Sequence, residues 1–422
     1  MRVLLITYEF PPIESAQALR WYYLSNQLVA QGVHVTVIAP ELIQEKAANA
    51  AVKARLIRSY PGPFIGVSGW LSRKSGHGNA KASTFKGPQE ESKAELVYRK
   101  LRRALDHIVF PDVRSEWYPF AARSLARFKP GDFDLIIAAH EPGVDLMLGL
   151  SASKRLKAPL VIDLADPLVT PYSPGWRKRW DIRLERKASQ HAAGIITTSS
   201  MFSQSLMRQH GLSADQVIEV EQGFESSQQY TSPKQPNTQL PQDGFWLLFT
   251  GNFYEDFRNP WPLVEALKKR SGIRFVFAGA TPDWLMEMFD PLGDQVVCLG
   301  RLSHQEAVAI QRLAPVLFNL GNQQALQVPG KLFEYFGAGR PILHVALNPD
   351  DPSGDLLRSL RRGIATDDKV DQIVEALDRM KNVISNKETA EEWDLRQEAV
   401  AEYSWKSLSQ RLTAFLETCT KR

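Results

Sequence analysis

The sequence predicts an α/β protein built from two doubly wound parallel-sheet halves, and three observations carry that reading. Near the N-terminus an apolar run from Val3 to Tyr8 is followed by a helical segment from about Ser15 to Gln31, closed by Gly32, and by a second apolar run from Val33 to Pro40. Strand, helix and strand in that order argue for a parallel sheet. A second pattern of the same kind starts at Phe245 to Phe253, with a helix from about Pro262 to Arg270 and a strand from Ile273 to Gly279. Between them, residues 226–244 are rich in Ser, Gln, Pro and Thr with no apolar period, which marks a boundary. A chain of 422 residues also exceeds what one core usually holds.

Composition excludes several classes. No apolar run reaches the roughly 18 residues that span a bilayer as a helix. The first residues, Met1 to Thr7, meet Glu9 too early for a signal peptide and read as a strand. The two cysteines, Cys298 and Cys419, lie far apart, giving neither metal-ligand spacing nor a disulfide framework. A reducing cytoplasm is the default. A net charge of +4 permits anionic partners without demanding nucleic acid, and none is expected.

In the first half, ligands of such a sheet bind beyond the C-terminal ends of the strands. The loop from Glu9 to Ala16, including Ser15, sits there and lacks GxGxxG, so no dinucleotide cofactor is expected. Residues 61–93, dominated by Gly, Ser, Lys, His and Pro, read as a mobile loop. Residues 94–109 form a basic amphipathic pattern with Arg99, Lys100, Arg102 and Arg103. That pattern fits either an anionic membrane surface or a solvated helix face. The strand from Asp134 to Ala139 ends on His140, before Glu141-Pro142. Imidazole titrates near neutrality, so a histidine there suits proton transfer, although many only close a strand. Asp132-Phe133-Asp134 spells an Asp-x-Asp string but precedes its strand, at the wrong edge of the sheet, and is read as accidental. The strand from Val161 exits through Asp163 and Asp166, putting acids at the crevice rim. A long basic-to-mixed helix from Trp176 to Ala193, a strand from Gly194 and a short strand at Val217 to Val220 complete the half.

In the second half, Gly251-Asn252 leaves the first strand and its exit loop carries Arg258. Arg301 follows the strand at Val296, and Ser303 with Glu306 forms a capping box. The most informative stretch is Val328 to Pro341. Pro329-Gly330 opens a short helix with Lys331, Leu332 and Glu334, and glycines close it before the strand at Ile342. Unpaired N–H groups at the helix start, a glycine allowing close approach and Lys331 together suit a diphosphate; Glu334, one turn on, suits a ribose. An ordinary helix start with a charge-balancing Lys and Glu explains the same spacing.

Together these pieces resemble glycosyltransferase family 4, whose members have the GT-B fold: two Rossmann-like domains facing a cleft, with a C-terminal helix crossing back to the first. The likeness runs from Phe10-Pro11-Pro12 to the C-terminal helix and is weakest over 61–93. Pro329 to Pro341 is similar to the family's donor-site helix, His140-Glu141-Pro142 to its histidine motif, Gly251 to Arg258 to its phosphate-binding strand exit, and Gly300 to Ser303 to its base-contacting loop. The resemblance implies domains over 1–228 and 244–403, with a helix over 404–422 packing on the first. It implies retaining, metal-independent sugar transfer from a nucleotide diphosphate sugar, with no cofactor. His140, Arg258 and Lys331 would be catalytic. Glu334, Gly251, Asn252, Arg301, Pro329, Gly330, Leu332, Ser15 and Asp166 would bind substrate. The acceptor would be a growing surface glycan or a lipid carrier, reached from the cytoplasm with peripheral contact to the inner face of the membrane. Two departures stand out. Leu326 occupies the first position of the family's Glu-x7-Glu pair, leaving Asn322, Gln323, Gln324 or Gln327 as neutral substitutes, and Ser15-Ala16 replaces paired glycines. Rival readings are a nucleotide-sugar epimerase on the same fold and a silent nucleotide-binding scaffold.

Overall fold

The computed structural model describes residues 1–42, 52–64, 109–169, 173–226, 240–241, 243–323 and 328–422. All but residues 61–64 of the loop over 61–93, all but residue 109 of the basic pattern over 94–109, and Gln324, Leu326 and Gln327 lie outside the described residues. The chain divides into two compact units, Met1–Val220 with Ser409–Arg422, and Glu221–Leu408.

The first unit runs β1 (Arg2–Thr7), α1 (Ala16–Ala30), β2 (His34–Pro40), β3 (Arg55–Ser59), α2 (Tyr118–Leu125), β4 (Leu135–His140), α3 (Gly143–Leu156), β5 (Leu160–Leu164), α4 (Gly175–His191), β6 (Gly194–Thr197), α5 (Ser200–His210) and β7 (Val217–Glu219). Its sheet is parallel throughout, in the order β3-β2-β1-β4-β5-β6-β7. The strands read as continuous apolar runs because helices bury both faces. Leu4, Ile6, Ile136, Ala138, Leu160 and Ile162, alternate residues of three neighbouring strands, share one core. Helix α3 lies so close to β4 that a Cβ at Gly149 would come within 2.5 Å of the Ala138 methyl. The strand order reverses between β1 and β4, so Tyr8 and His140 leave the sheet at the switch point, where open α/β sheets bind ligands.

The second unit repeats the plan: β8 (Phe245–Thr250), α6 (Trp261–Lys268), β9 (Ile273–Ala278), α7 (Asp283–Phe289), β10 (Val296–Cys298), α8 (His304–Gln311), β11 (Val316–Leu320), α9 (Gly330–Ala338), β12 (Ile342–Ala346), α10 (Pro352–Ser359), β13 (Gly363–Asp367), α11 (Val370–Ser385) and α12 (Thr389–Glu392). Its parallel sheet has the order β10-β9-β8-β11-β12-β13, reversing between β8 and β11. One face carries Leu247, Phe249, Phe275, Phe277 and Phe318, with Phe249 and Phe253 stacked at 4.1 Å. The other face carries Leu248, Val276, Leu317, Leu332 and Phe336.

Both unit boundaries are set by pairing rather than by composition. Residues 221–226 pack with the second unit, because the Trp405 N–H donates to the Phe224 carbonyl at 3.0 Å and a Cβ at Gly337 would strike Phe224. The first unit therefore ends at Val220. Helix α13 (Trp405–Cys419) starts at Ser404, whose Oγ accepts from the Ser407 N–H. From Ser409 onward it belongs to the first unit. There Gln31 Nε2 donates to Ser409 Oγ at 2.6 Å, Arg411 donates to the Glu219 carbonyl, and Gly194 leaves room for Cys419 Sγ.

Several elements escape the sequence reading. Strands β3 and β13 are sheet edges whose residues are only half-buried, so their apolar signal is thin. Helices α2, α7, α10 and α11 fall where that reading assigns no element.

Candidate functional site

Each unit gathers polar groups at the C-terminal end of its sheet. In the second unit the ring of contacts begins with two glycines. Gly251 continues β8 with φ +139°, and a Cβ at Gly279 would lie 1.8 Å from the Gly251 carbonyl oxygen, so neither position tolerates a side chain. Asn252 Oδ1 accepts from the Ala280 N–H at 3.1 Å, tying the exits of β8 and β9 together. Tyr254 and Arg258 exchange backbone hydrogen bonds and fold the exit loop back on itself. Arg258 then directs Nε and Nη2 onto Asn322 Oδ1, at 3.1 and 2.5 Å, beyond the end of β11. Burial lowers its pKa, and among the described residues no carboxylate pairs with it. Asn322 therefore supports Arg258, and the Gln323 carbonyl is held by Asn348 Nδ2 at 2.7 Å.

Helix α9 begins beside this loop, since a Cβ on Gly251 would lie 3.8 Å from Lys331 Cε. Pro329, the residue preceding the helix, offers no side-chain cap, which leaves first-turn amides without that partner. Gly330 is required because Gln222 approaches it: an added Cβ would meet Gln222 Cγ at 2.8 Å. Lys331 Nζ donates to Glu334 Oε1 at 2.7 Å. Gln311 Nε2 donates to the same oxygen at 2.5 Å and to Thr250 Oγ1 at 2.7 Å, and the Thr250 N–H donates to the Tyr335 hydroxyl. His304 Nδ1 stands 3.6 Å from Glu334 Oε2. Burial pushes the Glu334 carboxyl up. Lys331, His304 and the Lys331 and Gln311 hydrogen bonds outweigh burial and bring it down to about 2. It is a permanent carboxylate with one oxygen doubly engaged. Leu332 has its side chain fully buried in the core, and its N–H donates to the Pro329 carbonyl. Arg301 is exposed, and the capping box of Ser303 and Glu306 opens α8 just after it.

In the first unit, His140 ends β4 with 5% exposure, and among the described residues neither ring nitrogen has a hydrogen-bond partner. Its carbonyl is anchored: Gln17 Nε2 donates to it at 2.8 Å and to Asp163 Oδ2 at 3.0 Å. Asp163 also accepts from Trp21 Nε1 at 2.7 Å and forms a fully buried ion pair with Arg20 at 3.3 Å. Asp163 is thus structural, and Asp166, two residues beyond the end of β5, is the acid left beside His140. Burial, followed by repulsion from Glu141, pushes Asp166 up to about 6, against the opposing pull of His140. Asp145, fully buried, accepts from the Tyr8 N–H at 2.8 Å, and burial pushes its carboxyl well up. Ser15 serves as a helix cap, its Oγ accepting from the Ala18 N–H at 3.0 Å. Asp134 pairs with Arg2 at the opposite end of the sheet, which separates the Asp-x-Asp string from His140. Among the described residues no three His, Cys, Asp or Glu side chains are grouped to hold a metal ion, and no helix is long and apolar enough to cross a membrane.

Sequence reasoning missed Gln311, Thr250, Tyr335, Gln17 and Asp145. Tyr335 reads as one more apolar residue of the helix, and Gln311 belongs to no motif.

A family model described as a Glycosyl transferase 4-like domain matches residues 16–223. No curated protein matches the chain. Solved structures of the same fold include Anabaena Alr3699/HepE in complex with UDP and glucose, at 16% identity, 99% coverage of this chain, 100% of that one and a TM-score of 0.63. A protein from Listeria monocytogenes provisionally assigned as a UDP-N-acetylglucosamine 2-epimerase matches at 14% identity, covering 100% of this chain and 96% of that one, with a TM-score of 0.56. The lipopolysaccharide outer core galactosyltransferase WaaB in its apo form matches at 14% identity over 99% of both chains, with a TM-score of 0.54.

Proposed function

The chain is a glycosyltransferase family 4-like protein with the GT-B fold, and from that premise we propose that it moves a hexose from a nucleotide diphosphate sugar to a glycan or lipid-linked acceptor in surface-polysaccharide biosynthesis. The reaction retains anomeric configuration and uses neither metal nor cofactor. The observation that carries this reading is the start of α9, where Lys331, an uncapped first turn and the permanently ionised Glu334 lie together beside Gly251. The ammonium of Lys331 has three donors, so its bond to Glu334 leaves two for a diphosphate. Arg258, oriented by Asn322, adds a second positive charge to the leaving group. Glu334 Oε2 accepts from a ribose hydroxyl, and Arg301 with Asn252 borders the base. His140, whose ring nitrogens have no hydrogen-bond partner among the described residues, contacts the transferred sugar or the accepting hydroxyl, with Asp166 beside it. The protein works in the cytoplasm at the inner face of the membrane.

One observation favours a second reading. Two carboxyl groups, Asp112 and Asp166, lie close enough to feel the His140 charge, and burial raises the pKa of both; proton transfer at a sugar ring, as in an epimerase, needs acids and bases of this kind. A thermal-shift screen against nucleotide diphosphates and their sugars identifies the donor, because a ligand of the folded state raises the melting point. Incubation of that labelled donor with acceptor lipid then separates the readings. Labelled glycolipid supports transfer; a free epimerised sugar nucleotide overturns it.

A further inference from the structure

A buried polar line runs from β11 through β12 to the start of α10. Asn319 and His344 are register partners on the two strands, and Asn319 Nδ2 donates to His344 Nδ1 at 2.8 Å. The ring proton therefore lies on Nε2, which donates to Asp351 Oδ2 at 3.0 Å. Asp351 Oδ1 caps α10 by accepting from the Ser353 N–H at 2.8 Å. All three side chains are inside: Asn319 is 1% exposed, His344 0% and Asp351 8%. Burying such a line costs solvation that apolar residues of the same volume would not, so stability alone is a poor reason for it.

Its effect shows at the exit of β11. A Cβ on Gly321 would strike the Asp351 carboxylate, so that carboxylate lies against the backbone there. The Gly321 N–H donates to the Val345 carbonyl at 2.9 Å, and Asn348, in the same turn as Asp351, holds the Gln323 carbonyl. Gln323 in turn reaches the β8 exit loop, its N–H donating to the Phe257 carbonyl at 3.4 Å. Asn322, which orients Arg258, is thus held through both of its chain neighbours. Burial is the larger influence on the Arg258 guanidinium, but the charge of Asp351 is among those that reach it. We propose that His344 is a positioning residue: by fixing Asp351 it fixes residues 321–323, and through Asn322 it sets the direction of Arg258 towards a diphosphate. This role rests on the reading of Arg258 as a diphosphate ligand. A histidine that merely satisfied polar groups of the core would leave Arg258 unaffected.

The test is calorimetric titration of inorganic pyrophosphate into the full chain, as a double-mutant cycle between His344 and Arg258. Arg258→Ala alone should weaken binding about tenfold or more, the scale of a hydrogen bond to a charged group. His344→Leu removes both ring bonds. It should cost about tenfold in the wild-type background and less than about twofold beside Arg258→Ala, because coupled residues do not add. His344→Gln carries an amide N–H to the place of Nε2 and should bind within about threefold of wild type, whereas His344→Asn, too short to reach Asp351, should lose as much as the Leu variant. Equal losses for His344→Leu in the two backgrounds would leave it a structural role and overturn the proposal. So would full affinity in His344→Leu, or equal affinity in the Gln and Asn variants, a contrast that decides even if the Leu variant does not fold. Unchanged affinity in Arg258→Ala would instead overturn the diphosphate reading itself, and the role of His344 with it.

Discussion

Lys331 and Glu334 are joined at 2.7 Å on the first turn of α9, and Gln311 reaches the same Glu334 oxygen from α8. The lysine is oriented by the carboxylate, whose second oxygen faces His304 Nδ1 at 3.6 Å.

Replacing Glu334 with Ala should weaken binding of the nucleotide diphosphate that the thermal-shift screen identifies by about 1.5–3 kcal/mol, the usual contribution of a hydrogen bond to a charged group. Titration calorimetry measures it. An unchanged affinity removes Glu334 from the site and leaves it a helix-start ion pair.

His140→Ala should lower turnover by roughly 10²–10⁴-fold if proton transfer is its role. Nucleotide affinity should hold, and so should the fold, because the Gln17 contact uses the His140 backbone. Equal losses in turnover and nucleotide binding would point to positioning of the donor instead.

Asp166 makes a pH-dependent contribution whose sign can be worked out. Its folded value, about 6, lies above the ordinary carboxylate range, so the folded state holds the proton more tightly than the unfolded chain. That contribution is fully present below about pH 4 and is lost as pH rises towards 6. Asp166→Asn should therefore gain on the wild type by about 2–3 kcal/mol between those limits and stay ahead at neutral pH. Urea denaturation of both proteins at acid and neutral pH reads this difference. A constant gap across the range would refute the shift.

Asp163 lies under the His140 site, where Gln17, Trp21 and Arg20 converge on it. Asp163→Ala leaves a buried guanidinium uncompensated and should cost about 3–5 kcal/mol. Asp134→Ala removes only the exposed partner of Arg2 and should shift the melting point little. Thermal denaturation compares the two, and similar shifts would contradict the burial argument.

Much of this was legible in the chain. Ser15, Gly32, Ser303 and Gly339 mark helix ends because capping chemistry is local. The run from Pro329 to Pro341 spells loop, helix, turn and strand for the same reason, and His140 is read correctly as the end of its strand. Leu332 shows the limit. Its place in a motif suggested a ligand contact, yet a helix has an inner face, and only packing against the sheet reveals that Leu332 lies on it.

By itself, then, the sequence determined two doubly wound halves, the strand ends that carry their polar groups, and the helix start at Lys331. Tertiary structure alone decided the partners: Gln311 for Glu334, Asn322 for Arg258, Gln17 for the His140 carbonyl, and a His140 ring with none among the described residues. The physical reason is the reversal of strand order between β1 and β4 and again between β8 and β11. It sets side by side strand ends more than a hundred residues apart in the first unit and about seventy apart in the second, a distance over which no local periodicity carries information.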